Sequence, residues 1–156
     1  MTAALPSFRR ARPDEAQAIT ELVMRSKRHW GYDDAFMAAL TPELTFTRED
    51  LRRELDHVEV LESGGELIGV FRLSWRTADA YLSDLWIAPE AMGHGYGRLV
   101  FERAAAVGRG WGKGLMELEA DPNAEPFYLH LGAVRVCMSP VAAVPGRSVP
   151  LMHYAL

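Results

Sequence analysis

The sequence has little cysteine, only Cys137 among 156 residues, and a single cysteine excludes an internal disulfide. The five histidines are scattered without the spacing of a zinc site, so we expect no metal centre. No stretch approaches the ~20 apolar residues of a membrane span, and the first residues lack the apolar core of a signal peptide. These absences predict a protein of a reducing, cytoplasmic compartment that uses neither membrane nor metal.

An excess of basic residues is also missing. Lys and Arg number 17 against 21 Asp and Glu, which gives a net charge of −4. Because nucleic-acid binders usually present a basic face, this balance argues against a nucleic-acid partner and suits a cationic substrate. With 49% apolar and 24% charged residues, the chain has the profile of one globular domain over residues 1–156, long enough to bury a core.

Hydrophobic periodicity predicts an alternation of helices and strands. Ala16, Ile19, Leu22 and Val23 follow helical spacing, and the pattern of Thr47 and Asp50 resembles a capping box. From residue 57 onward β-branched and aromatic residues predominate, punctuated by glycine turns. The predicted helices are residues 14–26, a short helix within 27–40, 47–55, one through Val100, Ala104, Val107 and Trp111, and 125–131. The predicted strands are residues 7–12, 57–63, 66–75, 80–88, 115–120, 134–141 and 148–156. This order predicts one α/β domain with a mixed sheet.

The stretch "AMGHGYGRL" places three glycines between a predicted strand, residues 81–87, and a predicted helix. A glycine-rich turn before a helix is typical of phosphate sites, because the first helical N–H groups have no acceptor and glycines let a ligand approach the backbone. The Walker pattern is absent, and the dinucleotide fingerprint fits poorly because its glycine spacing differs. An ordinary surface turn is the remaining alternative.

Two segments, "APEAMGHGYGRLVFERA" and "DPNAEPFYLHLGA", together resemble the GNAT superfamily of N-acetyltransferases. The family signature, Gln or Arg, two residues, Gly, one residue, then Gly or Ala, follows the fourth strand. Residues 92–97 match it except at Met92, where the family usually has Arg or Gln. A second signature matches Phe127, Tyr128, Gly132 and Ala133. The resemblance covers nearly the whole chain and implies a GNAT-like fold, whose mixed, mostly antiparallel sheet is flanked by helices.

The resemblance also implies acetyl-CoA as the acyl donor, with its pyrophosphate on the amides of residues 93–98. By similarity, the backbone near Ile87 would hold the thioester carbonyl, and Asn123 would contact the pantetheine arm; the alternative for Asn123 is that it forms the turn after Pro122. Met92 keeps its backbone N–H but lacks the polar side chain that is usual there. The implied cofactor-binding residues are Trp86, Ile87, Ala88, Met92, Gly93, His94, Gly95, Tyr96, Gly97, Arg98, Asn123, Phe127 and Tyr128.

Forming an amide from a thioester requires that the amine lose a proton and that the leaving thiolate gain one. By similarity to the family, Tyr128 would be the general acid; the alternative is that it only packs. Asp84 and Glu119 are the candidate bases, an ordered water being the alternative. Strand alternation predicts Asp84 on the face of Leu82 and Trp86, so that the two carboxylates need not share a face.

Two further expectations concern packing. Phe127 and Leu131 lie four residues apart, which predicts that they form the core face of their helix and leave Tyr128 about 100° away from it. Cys137 falls in a predicted buried strand, where we expect it to pack and take no part in catalysis.

The segment "KRHWGYDDAFM" concentrates aromatic residues close to the first helix. In the family this region closes over the acceptor, so His29, Trp30 and Tyr32 are the candidate substrate-binding residues. The alternative is a hydrophobic loop that docks on the sheet.

Taken together, these residues predict an N-acetyltransferase that acts by direct attack in a ternary complex on an amine, preferably of a small molecule. The alternatives are a non-catalytic acyl-CoA-binding or sensing module and a nucleotide-type phosphate-binding fold. The last two strands could pair across a homodimer.

Overall fold

The computed structural model describes residues 4–156, and within them the chain alternates helices and strands much as its pattern predicts. The strands are β1 Ser7–Arg10, β2 Asp56–Ser63, β3 Glu66–Trp75, β4 Ala80–Ile87, β5 Leu115–Glu119, β6 Val134–Pro140 and β7 Ser148–Ala155. The α-helices are α1 Ala16–Arg28, α2 Asp34–Leu44, α3 Tyr96–Gly110 and α4 Glu125–His130. No helix in this described part of the chain is long and apolar enough to cross a membrane.

All seven strands join one sheet in the order β1-β2-β3-β4-β5-β7-β6. Every neighbouring pair is antiparallel except β4 and β5, which run parallel because α3 connects them as a crossover. The prediction of a mixed, mostly antiparallel sheet flanked by helices is therefore confirmed.

The helices cover opposite faces of this sheet. A Cβ at Gly108 of α3 would lie 3.7 Å from Leu73 of β3, so Leu73 faces α3. The next residue back, Arg72, points the other way, with its guanidinium carbon 4.6 Å from the ring centroid of Phe46, which follows α2. Because successive side chains of a strand alternate, α1 and α2 lie on one face and α3 on the other. We call them the α1 face and the α3 face.

A β-bulge in β4 changes which residues share these faces. Leu82 pairs with Leu73, whereas Asp84 pairs with Arg72, so the extra residue Ser83 is not opposite any residue of β3 in the register. Directly paired residues lie on the same face. Asp84 therefore lies on the α1 face with Trp86, while Leu82 lies on the α3 face. The prediction that Asp84 shares a face with Leu82 was wrong, because simple alternation does not account for the inserted residue.

Other sequence expectations also need correction. Thr47 and Asp50 exchange both capping hydrogen bonds, at 2.8 and 3.1 Å, but only the 3₁₀ turn Asp50–Arg52 follows instead of a helix to residue 55. Residues 53–55 are not helical because they connect this turn to β2, which begins at Asp56. The first helix runs two residues further than predicted, to Arg28.

Cys137 is exposed rather than buried. It belongs to β6, the edge strand of the sheet, and Val134, Val136 and Met138 of the same strand are also exposed. Since residues 134–138 are exposed on both faces of this edge strand, apolar residues there do not imply burial.

Candidate active site

Strands β4 and β5 separate after a short paired segment, and a cleft of about 820 Å³ opens where they part. The parallel pairing covers only Ala80 with Met116, Tyr81 with Glu117 and Leu82 with Leu118. Beyond these three pairs, residues 83–87 of β4 do not pair with β5 and line the cleft instead. Strand backbone that lacks a neighbour offers N–H and C=O groups to an extended ligand.

The glycine-rich loop forms one end of this cleft. Gly93 and Gly95 both have φ near +80°, and a Cβ at either would contact nothing within 4 Å. Among the described residues, neither amide donates a hydrogen bond. No side chain caps α3 at Gly95, and the first three N–H groups of a helix have no acceptor within it. These free amides, together with the positive end of the helix dipole, suit an anionic phosphate. The residues therefore fit the pyrophosphate of a CoA molecule.

Gly97 has a different reason to be glycine. A Cβ there would lie 3.2 Å from two ring atoms of Phe127 in α4. The small residue thus lets α4 approach the first turn of α3, which brings the two segments of the family resemblance into contact.

His94 is part of the loop but does not line the cleft. Its Nδ1 lies 2.9 Å from the carbonyl oxygen of Met92 and 3.2 Å from that of Ala91. Both partners are acceptors, so Nδ1 carries the proton and donates a hydrogen bond to the backbone of its own loop.

Tyr128 is the most buried residue of α4 and reaches the cleft. Its ring centroid lies 5.9 Å from that of Phe101 in α3 and 5.0 Å from that of Phe127. Phe127 and Leu131 are partly buried and pack against the core, but Tyr128 is more buried than either, so the expectation that it lies away from the core face was wrong. Burial, with the negative charges of Asp84 and Asp121, raises the pKa of Tyr128, so its hydroxyl is protonated at neutral pH and can donate a proton.

The two candidate bases lie on the same face of the sheet. Glu117 is paired with Tyr81, and Glu119, two residues further along β5, repeats its orientation. Because of the bulge at Ser83, Asp84 lies on the α1 face, as Tyr81 does. Asp84 and Glu119 therefore share that face, and both carboxylates line the cleft.

Asp84 and Glu119 differ in their partners. Asp84 is buried and accepts from Nε of Arg72 and from Nε1 of Trp86, each at 3.0 Å. Glu119 is exposed to the cleft and accepts one hydrogen bond, from Ser139 at 3.1 Å. Within residues 4–156 no cation forms a salt bridge with Glu119, so its carboxylate is the less constrained of the two.

Tyr81 is a cleft residue that the sequence analysis did not single out. Burial and the nearby carboxylates, first Glu119, raise the pKa of Tyr81 to about 12. Its position near both candidate bases depends on the bulge at Ser83 and on the separation of β4 from β5. A single tyrosine in a strand sequence gives no signal of either feature.

A charged network closes the opposite side of the cleft and was also missed. Lys27 of α1 and Asp121, just after β5, form an ion pair at 2.5 Å with side chains only 9% and 7% exposed. The Tyr32 hydroxyl donates to Asp121 at 2.8 Å and accepts from Asn123 at 3.1 Å and from Arg147 at 3.0 Å. This network ties α1 and the segment after it to the end of β5 and to the β6–β7 connection.

The predicted site residues can now be assigned to positions. His29 is exposed at the end of α1, and Tyr32 lies behind Arg147 with its ring stacked on Phe36. Ala88 is fully buried and, like His29, Tyr32 and His94, is not in the cleft wall. The predicted residues that line the cleft are Trp30, Asp84, Trp86, Ile87, Met92, Gly93, Gly95, Tyr96, Gly97, Arg98, Glu119, Asn123, Phe127 and Tyr128.

The buried pair of Lys27 and Asp121 gives a stability prediction. Burial alone would raise the pKa of Asp121, but the hydrogen bond and charge of Lys27, with further donors, hold it below its usual value. We expect Asp121→Asn to lower the free energy of unfolding at pH 7 by about 3–5 kcal/mol, because it leaves Lys27 buried without a counter-charge. Denaturant unfolding measures the change.

The pH dependence follows from the lowered pKa. The contribution of Asp121 is fully present above its unfolded pKa of about 3.9 and is lost as the pH falls through its folded value. The difference between the parent and Asp121→Asn should therefore shrink below about pH 4. Glu90→Gln, which breaks the exposed pair of Arg25 and Glu90, is the control and should cost less than about 1 kcal/mol. Equal costs for the two variants at pH 7 would contradict the assignment.

Comparison with known proteins agrees with this architecture. Structure comparison matches the PaiA N-acetyltransferase from Thermoplasma acidophilum in complex with coenzyme A, with a TM-score of 0.82 and 16% identity over 97% of this chain and 99% of that one. YncA from Salmonella typhimurium, solved with its cofactor acetyl-CoA, matches with a TM-score of 0.69 and 23% identity over 97% and 94%.

The ribosomal-protein-S18-alanine N-acetyltransferase from Escherichia coli matches with a TM-score of 0.72 and 15% identity over 97% and 94% of the two chains. At these identities the likeness shows the fold. No curated protein matches the sequence. The profile of the Acetyltransferase (GNAT) family matches residues 16–133, which is most of the chain. The chain therefore belongs to the GNAT acetyltransferase family, which uses acetyl-CoA as its acetyl donor.

Proposed function

We propose that this protein transfers the acetyl group of acetyl-CoA to the amine of a small molecule, by direct attack within a ternary complex. The observation that carries the proposal is the separation of β4 from β5 directly beside the open start of α3. A cleft of this shape suits a ligand with a diphosphate at one end and an amide-containing arm. The solved relatives with coenzyme A and acetyl-CoA support the same donor.

In this proposal the donor is held by backbone groups. The amides of residues 93–98 bind the pyrophosphate, and the backbone of residues 83–87 pairs with the pantetheine arm and polarises the thioester carbonyl. Asn123, at the end of β5, adds a side-chain contact to that arm. Acetyl-CoA supplies the thioester carbon that the amine attacks.

The proposed proton transfers use side chains on two sides of the cleft. Glu119 removes a proton from the attacking ammonium group, since its carboxylate has few competing partners. As the new N–C bond forms, the C–S bond breaks and Tyr128 gives its hydroxyl proton to the leaving thiolate. The nitrogen then passes its second proton to the tyrosinate, which leaves a neutral amide and restores Tyr128. Asp84 remains paired with Arg72 and holds Trp86 in the wall. No covalent intermediate on the protein is required.

The cleft walls favour a small acceptor. The lining includes the apolar side chains of Trp30, Leu40, Leu44 and Val141. An aromatic and aliphatic wall of this kind buries the carbon skeleton of a small amine.

A calorimetric titration with acetyl-CoA beside CoA, ATP and NAD, followed by an amine panel, tests the proposal. We expect saturable binding of the two CoA compounds alone and acetylation of at least one small amine. Binding of CoA compounds without turnover over a broad panel would instead identify a non-catalytic acyl-CoA-binding module. Binding of ATP or NAD without CoA would identify a nucleotide site.

Tyr128→Phe should lower kcat about 100-fold or more, because removal of a general acid costs this much, while the Kd for acetyl-CoA stays the same. The ring contact with Phe101 is kept, so the folded structure should survive. Tyr154→Phe is the matched control, since Tyr154 also packs on Phe101, with centroids 4.9 Å apart, but lies outside the cleft wall. An unchanged kcat in Tyr128→Phe would remove Tyr128 from the chemistry.

Glu119→Gln should lower kcat/KM at pH 7 by about 100-fold or more, because the variant lacks the general base. It should also remove the acidic limb of the pH–rate profile, since that limb reports the protonation of the base. Asp84→Asn should instead lower the melting temperature, since Arg72 loses its buried partner, and should keep that limb. Loss of the limb in Asp84→Asn with a normal melting temperature would make Asp84 the base.

The exposed β6 edge also supports the proposal of a homodimer. Val134, Val136 and Met138 are 58%, 53% and 47% exposed on a strand with a free edge, which suits pairing with a second copy. Sedimentation velocity tests the mass, and a monomer at all concentrations would exclude it.

A further inference from the structure

Arg147 lies in a part of the cleft that we call the acceptor half, which is lined by Trp30, Leu40, Leu44, Glu119, Val141 and Arg147. It lies on the β6–β7 connection and forms part of the cleft wall, where it is half-buried. Its guanidinium carbon is 4.8 Å from the ring centroid of Phe36 and 5.3 Å from that of Tyr32. The two rings, themselves stacked at 4.2 Å, give the guanidinium an aromatic surface to lie against.

Arg147 has no counter-charge within residues 4–156, since no carboxylate of the described chain forms a salt bridge with it. Two other cations differ in this respect: Lys27 is paired with Asp121 at 2.5 Å, and Arg72 with Asp84 at 3.0 Å. Of its five N–H donors, Arg147 uses one toward the Tyr32 hydroxyl, at 3.0 Å. A half-buried guanidinium with free donors that face a cleft is suited to bind an anionic group of a ligand.

The position of Arg147 is fixed before any ligand arrives. The Tyr32 hydroxyl donates to Asp121, at 2.8 Å, and accepts from Asn123 and Arg147. A hydroxyl has one donor and two acceptor positions, so all three are used. Tyr32 therefore holds Arg147 in one orientation, and little side-chain entropy is lost when a ligand binds.

The donor does not need this cation. The proposed pyrophosphate site is built from residues 93–98 at the start of α3, whereas Arg147 contacts the segment after α1 and lies near the end of β5. The carboxylate of Glu119, whose one hydrogen bond comes from Ser139, lines the same cleft. The acceptor half of the cleft thus offers a carboxylate for an ammonium group, a guanidinium for an anion and an apolar wall.

We propose that Arg147 binds the carboxylate of the acceptor, and that the acceptor is an amino acid with an apolar side chain. This inference rests on the proposed function, because it assigns the substrate class of the same site. Arg147 forms paired N–H···O bonds with the two carboxylate oxygens, the amine faces Glu119, and the side chain packs on Trp30 and Leu40.

The test compares amino acids with the amines that lack only their carboxylate: L-phenylalanine with phenethylamine, and L-leucine with 3-methylbutylamine. We expect kcat/KM to favour each acid roughly 10- to 100-fold, as a charge-assisted pair of hydrogen bonds would give. Arg147→Gln should collapse this ratio toward one, and Arg147→Lys should retain part of it because the charge stays and the fork is lost. Arg109→Gln, at an exposed arginine outside the cleft wall, is the matched control and should keep the full ratio.

Other outcomes would overturn the inference. Equal kcat/KM for acid and amine, or a ratio that Arg147→Gln leaves unchanged, would exclude carboxylate recognition by Arg147. A large loss of acetyl-CoA affinity in Arg147→Gln would assign the arginine to the donor instead.

Failure of the proposed function has a different signature, since neither member of any pair would then be acetylated. In that case the melting temperature of the CoA-saturated protein still decides. The acids, and not the amines, should raise it in the parent and fail to do so in Arg147→Gln. No rise with either class would refute the inference.

Discussion

The arrangement of the molecule depends on the short pairing between β4 and β5. Three residue pairs hold the strands together, and beyond Leu82 and Leu118 they diverge. Where the hydrogen bonds between two parallel strands end, the buried backbone groups beyond them lose their partners. Separation of two strands inside a sheet is therefore costly unless a ligand supplies new partners. The cleft, the open start of α3 and the placement of α4 all follow from this separation.

The bulge at Ser83 adds a second consequence to the same region. By reversing the alternation within β4, it puts Asp84 and Trp86 on the α1 face while the residues before it keep their apolar contacts with α3. The carboxylates of the cleft therefore gather on the side where α1 and the aromatic segment lie. Tyr128 reaches the cleft from α4, where its ring packs against Phe101 of α3 and Phe127 of α4. Opposed proton-accepting and proton-donating groups in one cleft are what the proposed transfer requires.

Charge within the acceptor half is distributed unevenly, and this has a physical reason. Lys27 is almost fully buried, and a buried ammonium needs a partner, which Asp121 supplies. Arg147 can remain without one because it lies against aromatic rings at the cleft surface and keeps access to water. The pair is thus structural, whereas Arg147 keeps donors that suit an anionic ligand.

The amino-acid sequence by itself determined the element order, the glycine loop and the two signatures of the family, because each depends on local spacing. It indicated the mostly antiparallel sheet and the sequence neighbourhood of Tyr128. Tertiary structure alone decided which side chains share a face and which are buried. The bulge moved Asp84 away from Leu82, the edge position exposed Cys137, and the contact with Phe127 explained Gly97. Lys27, Asp121 and Arg147 are far apart in sequence and carry no motif. Only folding could reveal them, because it brings α1, the segment after β5 and the β6–β7 connection to one cleft.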